Sequence, residues 1–70
     1  MNRRVVNSSN VISIGYDPET ATMEVEFTSG SVYQYFDVPQ AVYDQLIGSG
    51  SVGSALNDMV KGHYRYARVQ

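Results

Sequence analysis

The end of the sequence interleaves aromatic and basic side chains. Tyr64, Arg65, Tyr66 and Arg68 stand within one short stretch. Aromatic rings can stack on unpaired bases, and guanidinium groups can contact phosphates, so this composition is typical of a nucleic-acid surface. It is also typical of an edge strand whose tyrosines complete the core while its arginines keep the edge soluble.

Basic residues lie only near the two ends of the chain. All seven carboxylates fall between Asp17 and Asp58, and the net charge is −2, which argues against strong non-specific phosphate binding. If the two ends meet in space, a basic patch forms on an acidic protein. The residues that we predict to face phosphates are Arg3, Arg4, Lys61, Arg65 and Arg68.

Other chemistry has little support in the sequence. The chain has no cysteine and only one histidine, His63, so a metal site lacks the several spaced ligands it needs. Aspartates such as Asp37 are not predicted to share a pocket, and the Gly48–Ser51 stretch indicates a helix boundary rather than a serine nucleophile. We therefore expect a non-catalytic protein without metal or cofactor.

The length of 70 residues indicates a single domain. A chain this short buries only about 60% of its unfolded surface, so most large apolar residues are needed for the core. No apolar run approaches the roughly 20 residues of a membrane span. The sequence predicts one domain over residues 1–70, loose at 1–8, in a cytoplasmic protein with no membrane partner.

Two strands are predicted before the middle of the chain. In residues 10–16 the alternation places Ile12, Ile14 and Tyr16 on one face. In residues 22–28 it places Met23, Val25 and Phe27 inward and two glutamates outward. Asp17-Pro18-Glu19-Thr20 between them is typical of a turn.

A third strand follows Gly30, and the length of the loop before it decides which way its tyrosines point. A two-residue loop, Ser29-Gly30, would turn Val32, Gln34 and Phe36 inward. A three-residue loop that includes Thr28 would turn Tyr33 and Tyr35 inward instead. We favour the longer loop, because Gly30 then takes the left-handed position at no steric cost. That register leaves Val32 and Phe36 on the outer face.

Two helices and a short strand complete the prediction. Pro39 is suited to the start of a helix over 40–47, and Ser51 is a candidate N-cap for a second helix that runs to about Lys61. Gly62 is placed to end that helix, and a short strand follows. The predicted fold is α+β: a three-stranded antiparallel meander, two short helices on one sheet face and a C-terminal strand, in the order βββααβ.

Several segments together resemble the KTSC domain, a small family named for its occurrence at the C-terminus of some lysyl-tRNA synthetases. The central mark is a tyrosine-any-tyrosine motif followed by Val-Pro, here in 33–39. Other matching segments are 8–9, 15–17, 51–53 and 64–69. The small Ser54-Ala55 pair departs from the bulkier residues usual after the glycine. The motif residues, which we interpret as structural, are Tyr33, Tyr35, Val38, Pro39, Ser51, Gly53, Asn57 and Tyr64.

The resemblance implies no established activity, although the synthetase context is consistent with RNA binding. Our leading hypothesis is an RNA-binding module that uses the terminal basic residues with Tyr66 and Phe36. Tyr33 and Tyr35 are either core residues, as the favoured register predicts, or stacking platforms for bases. The alternative is a protein-interaction module, including a homo-oligomer, that uses a sheet edge or the outer apolar residues Val32 and Phe36.

Overall fold

The computed structural model describes residues 1–70. Five strands and two helices follow one another along the chain. The elements are β1 (Arg3–Val5), β2 (Val11–Asp17), β3 (Thr22–Phe27), β4 (Val32–Tyr35), α1 (Gln40–Ile47), α2 (Val52–Met59) and β5 (Tyr66–Arg68). The α+β class is confirmed, with four strands rather than three before the helices.

The five strands form one antiparallel sheet in the order β1-β2-β3-β4-β5. The prediction that residues 1–8 are loose is wrong for β1, in which Arg3 lies opposite Gly15 and Val5 opposite Ser13. The strand has only three residues, two of them charged, so it lacks the apolar alternation that indicates a strand. Its backbone pairing with β2 determines its structure instead.

A β-bulge in β2 changes which of its residues face the core. Val11 pairs with Phe27 and Ser13 with Glu26, so Ile12 is the extra residue. Val11 is consequently buried, whereas Ile12 is 38% exposed. The prediction that Ile12 is a core residue is therefore wrong, although Ile14 lies in the core as expected.

The loop between β3 and β4 has three residues, Thr28-Ser29-Gly30, as predicted. Phe27 pairs with Ser31 through the N–H of Phe27, which donates to the Ser31 carbonyl at 2.9 Å. Gly30 has φ +93°, the left-handed conformation that glycine adopts without strain. In this register Met23 lies opposite Tyr35 and Val25 opposite Tyr33, so both tyrosines face the helices.

On the opposite sheet face the prediction for Val32 needs correction. Val32 lies opposite Glu26 on that face, but it is only 3% exposed. The strand is interior, because the N–H of Val69 donates to the Val32 carbonyl on the side away from β3. Phe36 is half-buried at the end of β4 rather than fully open.

The helices cover one sheet face and form the core with it. α1 has the predicted bounds, beginning after Pro39, whereas α2 ends at Met59, before the predicted Lys61. Ser51 is the N-cap residue of α2 but makes no side-chain capping bond, and Gly62 has a positive φ of +82° just beyond the helix. The core residues are Val11, Ile14, Met23, Val25, Tyr35, Val38, Leu46, Val52, Leu56 and Val60.

Candidate functional site

A groove lies on the helix-bearing side of the sheet, beside the end of α2 and the β4–β5 edge. Its volume is about 590 Å³. No carboxylate lines it, although the chain carries seven. The lining residues are Asn10, Phe27, Thr28, Ser29, Ser31, Tyr33, Tyr35, Lys61, Gly62 and Tyr66. We call this the aromatic groove.

Four rings of three adjacent strands form the wall of the aromatic groove. Phe27 and Tyr33 meet edge to face, with ring centroids 5.7 Å apart. Tyr66 packs on both Tyr33 and Tyr35 at 5.8 Å. Tyr35 is 4% exposed and belongs to the core, whereas Tyr66 is 61% exposed. Exposure along the wall therefore increases from Tyr35, which is in the core, to Tyr66, which is on the surface.

Burial affects the chemistry of Tyr35. Desolvation by burial, and to a smaller extent the neighbouring Tyr33 and Tyr66, raises the pKa of Tyr35 above its ordinary value of 10.0. Its hydroxyl therefore stays neutral to a higher pH than that of an exposed tyrosine. The sequence left open whether Tyr33 and Tyr35 are core residues or platforms, and the structure shows that Tyr35 is core while the half-buried Tyr33 also lines the groove.

Lys61 supplies the positive charge of the aromatic groove. Its Nζ lies 5.0 Å from the centroid of the Phe27 ring, a cation–π contact that holds the ammonium in the groove. Lys61 is exposed and forms no ion pair with a carboxylate. Its charge is therefore available to an anionic ligand.

Arg68 lies next to this site on β5. It is opposite Tyr33, and directly opposed residues of an antiparallel pair point to the same sheet face. Its Nε donates to the Gln70 main-chain oxygen at 3.1 Å, and its guanidinium forms no ion pair with an aspartate or glutamate side chain. Lys61 and Tyr66 therefore line one groove, and Arg68 lies beside it on the same sheet face.

Arg65 has different neighbours. Its Nη2 donates to Asp37 Oδ2 at 3.0 Å, and its guanidinium carbon lies 6.0 Å from the centroid of the Phe36 ring. Both partners of the ion pair are more than three-quarters exposed. Arg65 and Phe36 thus form a separate surface beside the groove, with part of the arginine charge offset by Asp37.

The N-terminal arginines lie at the other edge of the sheet. Four strand spacings of about 4.8 Å place β1 roughly 19 Å from β5, so the two ends of the chain do not form one basic patch. Arg3 Nη1 contacts Glu24 Oε2 at 2.8 Å, and Nη2 lies 3.7 Å from Glu26 Oε1. Arg3 is therefore neutralised within the protein, whereas Arg4 is exposed and forms no ion pair.

The remaining motif residues have structural positions. Val38 is fully buried, and its backbone oxygen accepts a 2.6 Å hydrogen bond from the Tyr16 hydroxyl. Pro39 is the N-cap residue of α1, and Tyr64 packs against the core. A Cβ at Gly53 would collide with the Asn10 side chain, so the glycine permits close approach.

Ser51, Gly53 and Asn57 line a second, polar groove with the segment 7–10. Its lining is rich in hydroxyl and amide groups and includes only one hydrophobic residue. Asn57 is exposed and makes no side-chain hydrogen bond to a neighbouring loop. The clearest role in this cluster is that of Gly53, whose missing side chain lets the Asn10 side chain lie close to the α2 backbone.

The sequence also argues against a bound metal ion and against a membrane partner. No group of three or more histidine, cysteine or acidic side chains is arranged to hold a metal ion. None of the helices has both the length and the apolar character required to cross a membrane.

Sequence reasoning missed two contributors to the aromatic groove. Phe27 was assigned to the core alone, but it also holds Lys61 at the groove surface. Asn10 was assigned to the first strand, but it lies outside β2 and lines both grooves. The strand register could have placed Phe27 beside Tyr33, but nothing local to Asn10 indicated its position.

Comparisons with known proteins agree with this fold. Residues 7–64 match the model of the KTSC domain. An uncharacterised protein of Stutzerimonas stutzeri is 44% identical over 70 residues, covering 99% of each chain. The crystal structure of a KTSC domain protein from Yersinia pestis has a TM-score of 0.96 and 30% identity, covering 99% of this chain and 97% of the other.

A lysine–tRNA ligase of Nostoc sp. is 39% identical over 54 residues. The match covers 77% of this chain but only 10% of the ligase, so the likeness concerns one small part of that enzyme. The family model covers most of the sequence, and the solved structure has the same fold over nearly its whole length. The chain belongs to the KTSC domain family.

Proposed function

We propose that this chain is a small non-catalytic module that binds RNA through the aromatic groove. The observation that carries the proposal is the composition of the groove lining, which combines aromatic rings with Lys61 and contains no carboxylate. The chain as a whole is acidic, so this local charge is not a consequence of overall composition. A groove of this kind favours an anionic ligand that also carries aromatic groups, as RNA does.

The unpaired cations strengthen the argument. Affinity for phosphates depends on basic side chains that neutralise phosphates and so release the counterions bound to the nucleic acid. An arginine that is already paired with carboxylates does this poorly. Neither Lys61 nor Arg68 pairs with an aspartate or glutamate side chain, whereas Arg3 contacts two glutamates. We therefore assign the main phosphate contacts to Lys61 and Arg68, with Arg65 beside them.

The relatives provide independent support. Three lysine–tRNA ligases, two from Nostoc and one from Trichormus variabilis, match this chain at 36–39% identity. The name lysine–tRNA ligase describes an enzyme that acts on a transfer RNA. A domain of this family is therefore found in proteins that handle RNA, which is association rather than mechanism.

Titration of fluorescently labelled single-stranded RNA at several salt concentrations tests the proposal. Each phosphate contact contributes about 0.7 to the slope of log K against log salt for a single strand. Lys61→Ala and Arg68→Ala should each weaken binding and make the slope shallower by about that amount. No binding at low salt would contradict the proposal.

The chain offers a matched control for these variants. Arg4→Ala removes the same unit of charge from an exposed position on β1, at the opposite edge. It should change affinity much less than Lys61→Ala or Arg68→Ala. Equal losses for all three variants would indicate an effect of net charge rather than a site at the groove.

Fewer structural features support the alternative function, a protein-interaction module, than support RNA binding. Burial of Val32 removes one of the two apolar residues proposed for its surface and leaves the edges of β1 and β5 as candidate contacts. Both strands are only three residues long, and short edge strands limit pairing with other chains. Light scattering across a concentration series distinguishes this function, because self-association would raise the apparent mass.

A further inference from the structure

The aromatic groove offers one open ring rather than a row of them. Tyr66 is 61% exposed, whereas Phe27 and Tyr33 are half-buried and Tyr35 is buried. Lys61 already lies over Phe27. Of the four rings, Tyr66 therefore has by far the largest area available to a ligand.

Tyr66 is also held in position before any ligand arrives. Its backbone pairs with Tyr35 in the sheet, and its ring packs on Tyr33 and Tyr35 with centroids 5.8 Å away. A ring fixed in this way loses little conformational freedom when a flat group stacks on it. The aromatic wall therefore preorganises one stacking surface.

The rest of the groove has groups that complement a single nucleotide. The Lys61 ammonium can contact a phosphate, and the side chains of Asn10, Ser29 and Ser31 supply hydrogen-bonding groups for a base edge or a ribose. A volume of about 590 Å³ is in the range of sites for small ligands, and it is too small for a duplex.

We infer that the aromatic groove takes one unpaired base of an RNA strand, stacked on Tyr66, with an adjacent phosphate at Lys61. The inference rests on the proposed function and specifies the ligand as single-stranded. Bases inside a duplex are already stacked on each other and present only their edges, so they cannot use the ring face of Tyr66.

The experiment compares two labelled RNAs of the same sequence, a single-stranded octamer and its duplex, at constant low salt. The single strand should bind at least about 10-fold more tightly than the duplex. Tyr66→Ala should weaken single-strand binding by about 5- to 100-fold and leave duplex binding within about twofold. Equal binding of both RNAs by the wild-type protein would overturn the inference.

Two further variants separate stacking from simple burial. Tyr66→Phe keeps the ring and should retain affinity within about twofold, whereas Tyr66→Leu keeps apolar bulk without a π face and should behave like Tyr66→Ala. Wild-type affinity in Tyr66→Leu would overturn the inference. Tyr66 is largely exposed, and an unchanged circular dichroism spectrum confirms that each variant is folded.

The outcomes distinguish this inference from the proposed function. If single strand and duplex bind equally and Lys61→Ala still weakens both, the proposed function stands and the single-base site is wrong. If neither RNA binds the wild-type protein at low salt, both are wrong.

Discussion

The two edges of the sheet carry similar basic residues from opposite ends of the chain, but their chemistry differs. At the β1 edge, Arg3 lies across Glu24 and Glu26 of β3, and its charge is satisfied within the protein. At the β5 edge, Arg68 lies opposite Tyr33, and Lys61 lies over the ring of Phe27 on the central strand, within the aromatic groove. No aspartate or glutamate side chain forms an ion pair with either of these two cations.

The difference arises from the alternation of the central strand β3. Its even-numbered Glu24 and Glu26 point to the open face, where Arg3 reaches them, and its odd-numbered Phe27 points to the helix-bearing face. A basic residue on one face therefore meets acids, and a basic residue on the other meets aromatic rings. Charge composition alone does not predict which cation is free to bind a ligand.

The largest effect is expected from breaking the β1 edge at Gly15. A Cβ there would lie 2.5 Å from the Asn2 backbone oxygen and 3.0 Å from Arg3 Cγ, so β1 must move away. Gly15→Ala should lower the free energy of unfolding by about 1–3 kcal/mol, the usual cost of overpacking. Urea denaturation measures this loss.

Gly50→Ala is the matched control, because nothing lies within 4 Å of a Cβ at that position and its φ is not in the left-handed region. Its stability should change by less than about 0.5 kcal/mol. RNA affinity should be retained in Gly15→Ala under conditions where it is folded, since the aromatic groove lies at the far edge. Loss of RNA binding in the folded variant would contradict the separation of the two edges.

Gly30→Ala should strain the β3–β4 loop, whose length sets the register of Tyr33 and Tyr35 in the aromatic groove. Gly30 has φ +93°, and a Cβ added there would meet no atom within 4 Å, so the cost comes from backbone conformation rather than from a clash. We expect a loss of about 1 kcal/mol in the free energy of unfolding. A change of less than about 0.3 kcal/mol by the same denaturation measurement would count against a strained left-handed position.

The two arginine ion pairs should differ in their contribution to stability. The side chains of Arg3 and Glu24 are 26% and 13% exposed, whereas those of Arg65 and Asp37 are 80% and 76% exposed. Arg3→Ala should cost about 1 kcal/mol, because two partly desolvated carboxylates lose their cation, and Arg65→Ala should cost less than about 0.5 kcal/mol. Thermal melts of both variants at low and high salt provide the comparison.

The smallest expected effect is on the alkaline pH dependence of the free energy of unfolding, and it comes from Tyr35 in the wall of the aromatic groove. The pKa of Tyr35 is raised in the folded protein, chiefly by burial, so its neutral form is favoured by folding. That stability is fully present below the ordinary pKa of 10.0 and is lost as pH rises through the folded value. Between about pH 9 and 11, the free energy of unfolding should therefore fall less steeply in Tyr35→Phe than in the wild type.

Tyr16→Phe provides a comparison for that measurement. The pKa of Tyr16 is also raised, by burial first and then by Asp44 and Asp17, but this residue stacks on Tyr43 away from the groove. Each substitution should remove part of the alkaline dependence. Identical pH profiles in the wild type and in Tyr35→Phe would contradict the role assigned to burial of Tyr35.

The parts of the fold that were predicted correctly have strong local signals. Gly30 determined the three-residue loop, and Pro39 marked the start of α1. The errors occur where pairing overrides local pattern. Residue Ile12 is apolar and in phase, but the bulge turns Val11 inward instead, and β1 forms although its own sequence is mostly charged.

The candidate site was predictable in part. The interleaved stretch does contribute Tyr66 to the groove that Lys61 also lines, and Arg68 lies beside it, but Arg3 and Arg4 belong to the β1 edge. A sequence shows that basic residues stand near both ends, but only strand order determines the distance between those ends. The groove also depends on Phe27, whose role follows from register across two strands.

The strand connections also affect how persistently the aromatic groove stays formed. Strands β1 to β4 are each joined to their neighbour by short connections, whereas β5 returns to β4 only after residues 36–65. A three-residue edge strand whose residues are all exposed detaches at a small fraction of the global unfolding free energy. Because Tyr66 is part of that strand, its transient detachment would dismantle the groove while the rest of the domain stays folded, and amide hydrogens of β5 would exchange long before those of β3.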